Sequence, residues 1–261
     1  MRLFENELDT GIASGAKSGG TNTSHTIILD AASNLFAATP VTATLEEYEV
    51  SVIEENVLGK ATDGSRRRTF RYLRELYALD PDVVVFRALR DLWPLDVDAQ
   101  PLLAATCAFA RDSVFRASFS AILDTPPGAT LTASDLAQSV GDRFPGTYGE
   151  ATLAKIGRNT FSSWEQTGHL EASRAGFKTR KRATCRPSNV AYALLLATLE
   201  GVQGAELFES QWLQILDQPS SHLEDLAASA SQKRLMEYRS AGGVVEIEFA
   251  ELLRPFGGAH R

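Results

Sequence analysis

The chain is poor in the residues that build metal and redox centres: of 261 residues, two are cysteine and four are histidine. Cys107 and Cys185 lie far apart and make no disulfide framework. Cys107 sits in the apolar run LLAATCAFA and reads as a small core residue. His25, His169, His222 and His260 stand singly, without the spacing of a zinc site. Long apolar runs are also missing. Pieces such as YALLLATL fall far short of the roughly 18 to 20 residues that span a bilayer. The opening MRLFENELDTG has no charged start followed by an apolar stretch, so no signal peptide is expected. These absences predict a cytoplasmic protein without a membrane partner. The patterns G-x-x-x-x-G-K-S/T, G-x-G-x-x-G after a strand, G-x-S-x-G and H-E-x-x-H do not occur. Acidic pairs such as Glu46/Glu47 and Glu54/Glu55 have no acid–base companion and read as solvated helix faces. The expectation is a protein that is not an enzyme, with no cofactor and no metal.

What is present is unevenly placed charge. The formal net charge is −7, yet residues 151–187 hold eight basic and two acidic side chains. A second basic stretch, NVLGKATDGSRRRTFRYLREL (residues 56–76), contains Lys60, Arg66, Arg67, Arg68, Arg71 and Arg74 against Asp63 and Glu75. An acidic protein with local basic segments is what a polyanion site looks like; the plainer reading is a solvated surface. In the second stretch TDGS reads as a turn and cap, with a helix from about Arg66. Phe70, Leu73, Leu76 and Tyr77 then share an apolar face, and Arg67, Arg71 and Arg74 form a stripe turned away from it. The structural alternative pairs these arginines with the acids of residues 46–55.

The chain divides by pattern. Residues 1–23, rich in Gly, Ser and Thr, read as a flexible N-terminal arm. Residues 24–128 read as a helical bundle. It starts with a helix from about Ser24 to before Pro40, followed by one capped by Thr44. DTPPGAT (124–130) reads as a linker.

Residues 129–190 read as a winged helix-turn-helix. Thr132 with Asp135, and Thr147 with Glu150, suggest two capping boxes. The second helix, EATLAKIGRNTFSSWEQT, ends at Gly168. Its Leu153, Ile156, Gly157, Thr160 and Trp164 face inward. Lys155, Asn159, Ser162 and Gln166, flanked by Arg158, face outward as residues able to read base edges and phosphates. HLEAS and KTRKRATCRP form a hairpin whose Lys178, Arg180, Arg182 and Arg186 share one face, with Lys181 on the other. A basic wing contacts phosphate; the alternative is an edge hairpin protected by charge. Residues 191–261 read as a helical segment with one strand, GGVVEIEF, packed on the winged helix.

The stretches ENVLGKATDGSRRRTFRYLRELYAL, DSVFRASFSAIL and TLAKIGRNTFSSWEQTGHLE, spread over about residues 25–200, resemble the BrxA family of small proteins encoded with BREX bacteriophage-defence systems. The resemblance implies a mainly α fold with a NusB-like helical N-terminal region. It also implies nucleic-acid binding and a non-catalytic role beside other phage-defence proteins. No catalytic residues carry over, and GSRRRTFR is the motif that transfers most directly. The Gly/Ser-rich start departs from the family. The expected function is duplex-DNA binding through Arg66, Arg67, Arg68, Arg71, Arg74, Lys155, Arg158, Asn159, Ser162, Gln166, Lys178, Arg180, Lys181, Arg182 and Arg186. The alternatives are an adaptor docking acidic protein partners, and RNA binding as in NusB-like proteins.

Overall fold

The computed structural model describes residues 9–13, 19–241 and 244–254. These residues are mainly helical, with twelve α-helices and two small antiparallel sheets. The first seven helices are α1 (Leu29–Ala38), α2 (Leu45–Ile53), α3 (Asp63–Tyr77), α4 (Val84–Leu92), α5 (Gln100–Arg111), α6 (Ser113–Ala117) and α7 (Phe119–Leu123). A Thr44/Glu47 capping box opens α2 and a Thr62/Ser65 box opens α3. Each satisfies backbone N–H groups that would otherwise lack partners. The latter box starts α3 at Asp63 instead of Arg66. The first helix begins at Leu29, not Ser24, because Ile28 adopts a left-handed conformation (φ 46°) and donates its N–H to Thr26 Oγ1 at 3.1 Å.

Helix α5 is buried on every side from Leu102 to Ala110, which places it at the centre. A second helix of this kind is α10 (Pro187–Leu199), buried from Ser188 to Ala197. It packs against α4 and α5, with Tyr192 Oη donating to Val85 O at 2.8 Å and Asn189 Nδ2 to Ala99 O at 2.9 Å. The C-terminal part therefore packs into the bundle, where the expectation was packing on residues 129–190. Burial also pushes the Cys107 thiol up to about 11, which leaves it an inert core group.

Between the two halves of this bundle lie β1 (Thr130–Leu131), α8 (Ala133–Arg143), α9 (Glu150–Gln166), β2 (Leu170–Arg174) and β3 (Phe177–Arg180). The sheet order is β1-β3-β2, with Thr130 opposite Thr179 and Leu170 opposite Arg180. Strand β1 was not expected, and it makes β3 the central strand. The expected second hairpin strand ends at Arg180, so Arg182 and Arg186 follow it in irregular chain. The Thr132/Asp135 box caps α8 as expected, but α9 starts after Gly149 without a side-chain cap. Gly157 is where α8 and α9 cross: a Cβ there would meet Ala133 O at 2.2 Å. Trp164 is fully buried, stacked on Phe115 at 4.3 Å and donating Nε1–H to Ser118 Oγ at 2.8 Å. One continuous apolar core contains Ile122, Leu131, Trp164 and Leu194, so the Pro/Gly stretch at 124–130 does not separate two cores.

The end of the described chain forms α11 (Gln211–Gln214), α12 (Ser220–Gln232), β4 (Glu237–Ala241) and β5 (Val244–Glu248). Strand β5 lies within the expected strand; its partner β4 was not foreseen. Within the expected helical segment, the stretch ELFESQWLQILD is broken at Ser210, whose backbone is extended (ψ 153°), into a 3-10 turn and the single turn α11.

The expected flexible arm is anchored where it is described. Val84 N–H and Val85 N–H donate to Asp9 O and Thr10 O, Ala13 N–H donates to Ala110 O, and Asn22 is fully buried. The rest of that arm, residues 1–8 and 14–18, lies outside the described residues.

Candidate nucleic-acid interface

The expected wing is the clearest correction. Lys178 and Arg180 do share one face of β3, but that face is inward; they are 9 % and 2 % exposed. As the central strand, β3 has one side covered by helices. Both cations are held there by internal acceptors. Lys178 Nζ donates to Phe161 O at 2.9 Å, pairs with Glu165 at 2.8 Å and lies over the Phe161 ring at 4.2 Å. Arg180 donates to Ile122 O at 3.0 Å and pairs with Asp217 at 2.9 Å. Burial holds the Arg180 guanidinium below its ordinary range, opposed by Asp217. Of the remaining wing residues, Lys181 pairs with Glu171 at 3.0 Å on the surface. Arg186 pairs with Asp96 and Asp98. Only Arg182 is exposed without an ion-pair partner among the described residues.

The outward face of α9 is divided. Lys155 and Arg158 are exposed and have no carboxylate partner among the described residues. Asn159, Ser162 and Gln166 are half-buried. The cause is the chain from Thr21 to Leu29, which runs along this face. Asn159 Nδ2 donates to Asn22 O at 3.0 Å, Leu29 N–H donates to Gln166 Oε1 at 3.2 Å, and Ile27 N–H donates to Ser163 Oγ at 3.1 Å. Two of the expected base-reading side chains are thus occupied as a docking strip, and only the N-terminal half of α9 is open.

The α3 arginines project as their spacing requires. Arg67 pairs with Asp63 at 2.8 Å and Arg71 lies 3.7 Å from Glu75, both within the helix and exposed. Such exposed pairs contribute little to stability and are screened by salt. Glu54 and Glu55 do not pair with the stripe. Arg68 and Arg74 are exposed without a carboxylate partner among the described residues. Arg66 is turned back, donating to Ile53 O at 3.0 Å.

The residues that join these pieces are His25 and Tyr72, which the sequence reading did not single out. Their rings lie 5.1 Å apart, and the Arg71 guanidinium lies 5.1 Å from the Tyr72 ring centre. The His25 imidazole is held below its ordinary range, first by partial desolvation and then by the charges of Lys60 and Lys155. Lys60 precedes α3 and Lys155 lies on α9, so charge from both elements is felt at His25. A separation of 130 residues between His25 and Lys155 leaves no local sequence signal for this meeting.

Among the described residues no group of His, Cys, Asp and Glu could hold a metal ion, and no helix is long and apolar enough to cross a membrane. No family model matches the chain, and no curated protein matches it.

Proposed function

We propose that this is a non-catalytic nucleic-acid-binding protein that takes duplex DNA on the surface formed by α3, His25 and the N-terminal half of α9. We further propose that it serves a BREX-type phage-defence system; that assignment rests on the sequence resemblance alone. The observation that carries the binding reading is the set of exposed cations on α3 and the N-terminal half of α9, Arg68, Arg74, Lys155 and Arg158, that have no carboxylate partner among the described residues. Exposed cations without neutralising acids are suited to phosphates, and charge from Lys60 and Lys155 is felt at His25, whose ring meets Tyr72 on α3. The order β1–α8–α9–β2–β3 after α7, with β3 central, supports reading this region as a winged helix. In helix-turn-helix proteins the N-terminal residues of the second helix enter the groove, and that half of α9 is the open one.

Titration of the full chain with duplex DNA and with RNA at two salt concentrations tests this. Arg68→Glu with Lys155→Glu should weaken binding at every sequence. The log–log salt slope should flatten by about 0.9 per lost duplex phosphate contact. The melting temperature should change by no more than a few degrees. Absence of duplex binding at low salt would overturn the reading, and preference for RNA would move it to the NusB-like alternative. An adaptor role is favoured by a different observation, the exposed apolar side chains of Leu95 (56 %) and Val97 (73 %) on neighbouring turns.

A further inference from the structure

Lys178 and Arg180 are held inside the protein, and what they fix is the position of the hairpin formed by β2 and β3. At its base Leu170 stands opposite Arg180, just after the end of α9. Two residues further along the hairpin, opposite Ala172, Lys178 reaches Phe161 O at 2.9 Å and Glu165 at 2.8 Å. Glu165 is in the last turn of α9 and Phe161 is one turn earlier. The hairpin therefore runs back along α9, and its tip points toward the half of that helix that carries Lys155 and Arg158.

The tip projects one cation, which the sequence reading did not single out. Arg174 stands opposite Phe177 across a turn made by Ala175 and Gly176, the latter with φ 80°. Ser173 Oγ donates to Phe177 O at 3.2 Å across the same turn. The Arg174 guanidinium lies over the Phe177 ring, 4.3 Å from its centre, a cation–π contact that steadies a long side chain. Phe177 precedes Lys178 on β3 and so faces the opposite way. Arg174 accordingly stands clear of the core: it is exposed and has no carboxylate partner among the described residues. The hairpin's own acid, Glu171, lies near the base and pairs with Lys181.

We propose that Arg174 is the hairpin's contact with the phosphodiester backbone of a duplex bound at the N-terminal half of α9, and that Lys178 is the positioning residue that sets where Arg174 meets it. The proposal rests on the nucleic-acid reading and deepens it, moving the wing contact from the strand face to the tip. A guanidinium stacked on a ring by one face keeps the N–H groups of its edge free, and these match the oxygens of a phosphate. Such a contact fixes register on the duplex and carries no base preference.

Affinity for A·T-rich and G·C-rich duplexes is measured at several salt concentrations for the full-length protein, Arg174→Ala, Lys178→Met and the double variant. Arg174→Ala should weaken binding on the order of tenfold at low salt, equally on both duplexes, and lower the log–log salt slope by about 0.9. Its melting temperature should stay within a few degrees of the wild type. In the Lys178→Met background, corrected for the fraction unfolded, the effect of Arg174→Ala should shrink, a coupling that a merely structural role would not produce. Glu165→Gln, which breaks the same ion pair from its exposed end, replaces Lys178→Met if that variant does not fold. Unchanged affinity and slope in Arg174→Ala, with Arg68→Glu and Lys155→Glu still weakening binding, overturns the tip contact and leaves the duplex reading standing. A loss confined to the A·T-rich duplex overturns the backbone assignment in favour of insertion into a narrow minor groove. Strictly additive effects overturn the positioning role of Lys178. No duplex binding by the wild-type protein overturns both readings.

Discussion

Arg180 and Asp217 form an ion pair of 2.9 Å in which the guanidinium side chain is 2 % exposed and the carboxylate 17 %. Removing one partner of such a pair leaves a charge in a poorly solvated site. Asp217→Ala should therefore cost about 3 to 5 kcal/mol, read as a lower denaturation midpoint in urea. An unchanged midpoint would show that Arg180 finds water when its partner is removed. A loss of DNA binding in Arg180→Ala would be meaningful only after correction for the fraction unfolded.

Gly157 gives a second stability prediction. A methyl group there would approach Ala133 O to 2.2 Å and Ala137 Cβ to 2.9 Å, and the first of these is backbone. Helices α8 and α9 must move apart, so Gly157→Ala should destabilise by about 1 to 3 kcal/mol or more, despite the better helix propensity of alanine. A neutral or stabilising effect would mean the helices cross less closely than described.

Acidification should act through His169. This ring is fully buried, with Nδ1 2.8 Å from Thr167 Oγ1 and Nε2 2.8 Å from Ile215 O. Burial, reinforced by Arg180 and opposed by the Ile215 carbonyl, pushes it down to about 3 from the ordinary 6.5. The unfolded chain then binds a proton near pH 6.5 that the folded chain refuses. Stability from His169 is intact above that pH and declines as pH falls toward 3, by on the order of 4 to 5 kcal/mol in all. Asp112 and Asp217, whose carboxyls burial holds above the ordinary range, work in the opposite direction at acid pH. The His169 effect is therefore sought between pH 6.5 and 5, as a slope in unfolding free energy that His169→Gln removes. The same slope in both proteins would contradict it.

The meeting of α3 and α9 can be tested without any ligand. Lys60 and Lys155 both hold the His25 imidazole low. Replacing either by alanine should raise the His25 pKa in a proton NMR titration, and added salt should shrink the difference. No response to Lys155→Ala would place α9 too far away and remove the joint surface on which the binding proposal stands.

Much of the helical framework was legible because it obeys local rules. The Thr44/Glu47 and Thr132/Asp135 boxes mark helix starts, Gly168 (φ 82°) follows the end of α9, and of the inward set, Ile156, Gly157, Thr160 and Trp164 are buried while Leu153 is half-buried. Alternation also placed Lys178 and Arg180 on one face correctly. It could not say which side of the sheet that face covers, because this depends on β1, a strand of two residues with no periodicity to read. Their partners Glu165 and Asp217 lie on other elements, and long cationic side chains can bury their stems while their heads find acceptors. The outward face of α9 failed for a similar reason: its cover comes from residues 21–29, which straddle the end of the expected arm and the start of the expected first helix and carry no local sign of a distant partner.

That cover has a consequence for how the protein is made. Asn22 gives up its solvent contacts to Asp112, Asn159 and Ser163, and the last of these lies 141 residues further along the chain. At a synthesis rate of about 5 to 20 residues per second, the segment is synthesised roughly 7 to 30 seconds before its seat on α9. A segment made well before α9 is thus satisfied only once α9 exists. Until α9 is made, Asn22, Ile27 and Leu29 lack the partners that hold them in the folded chain.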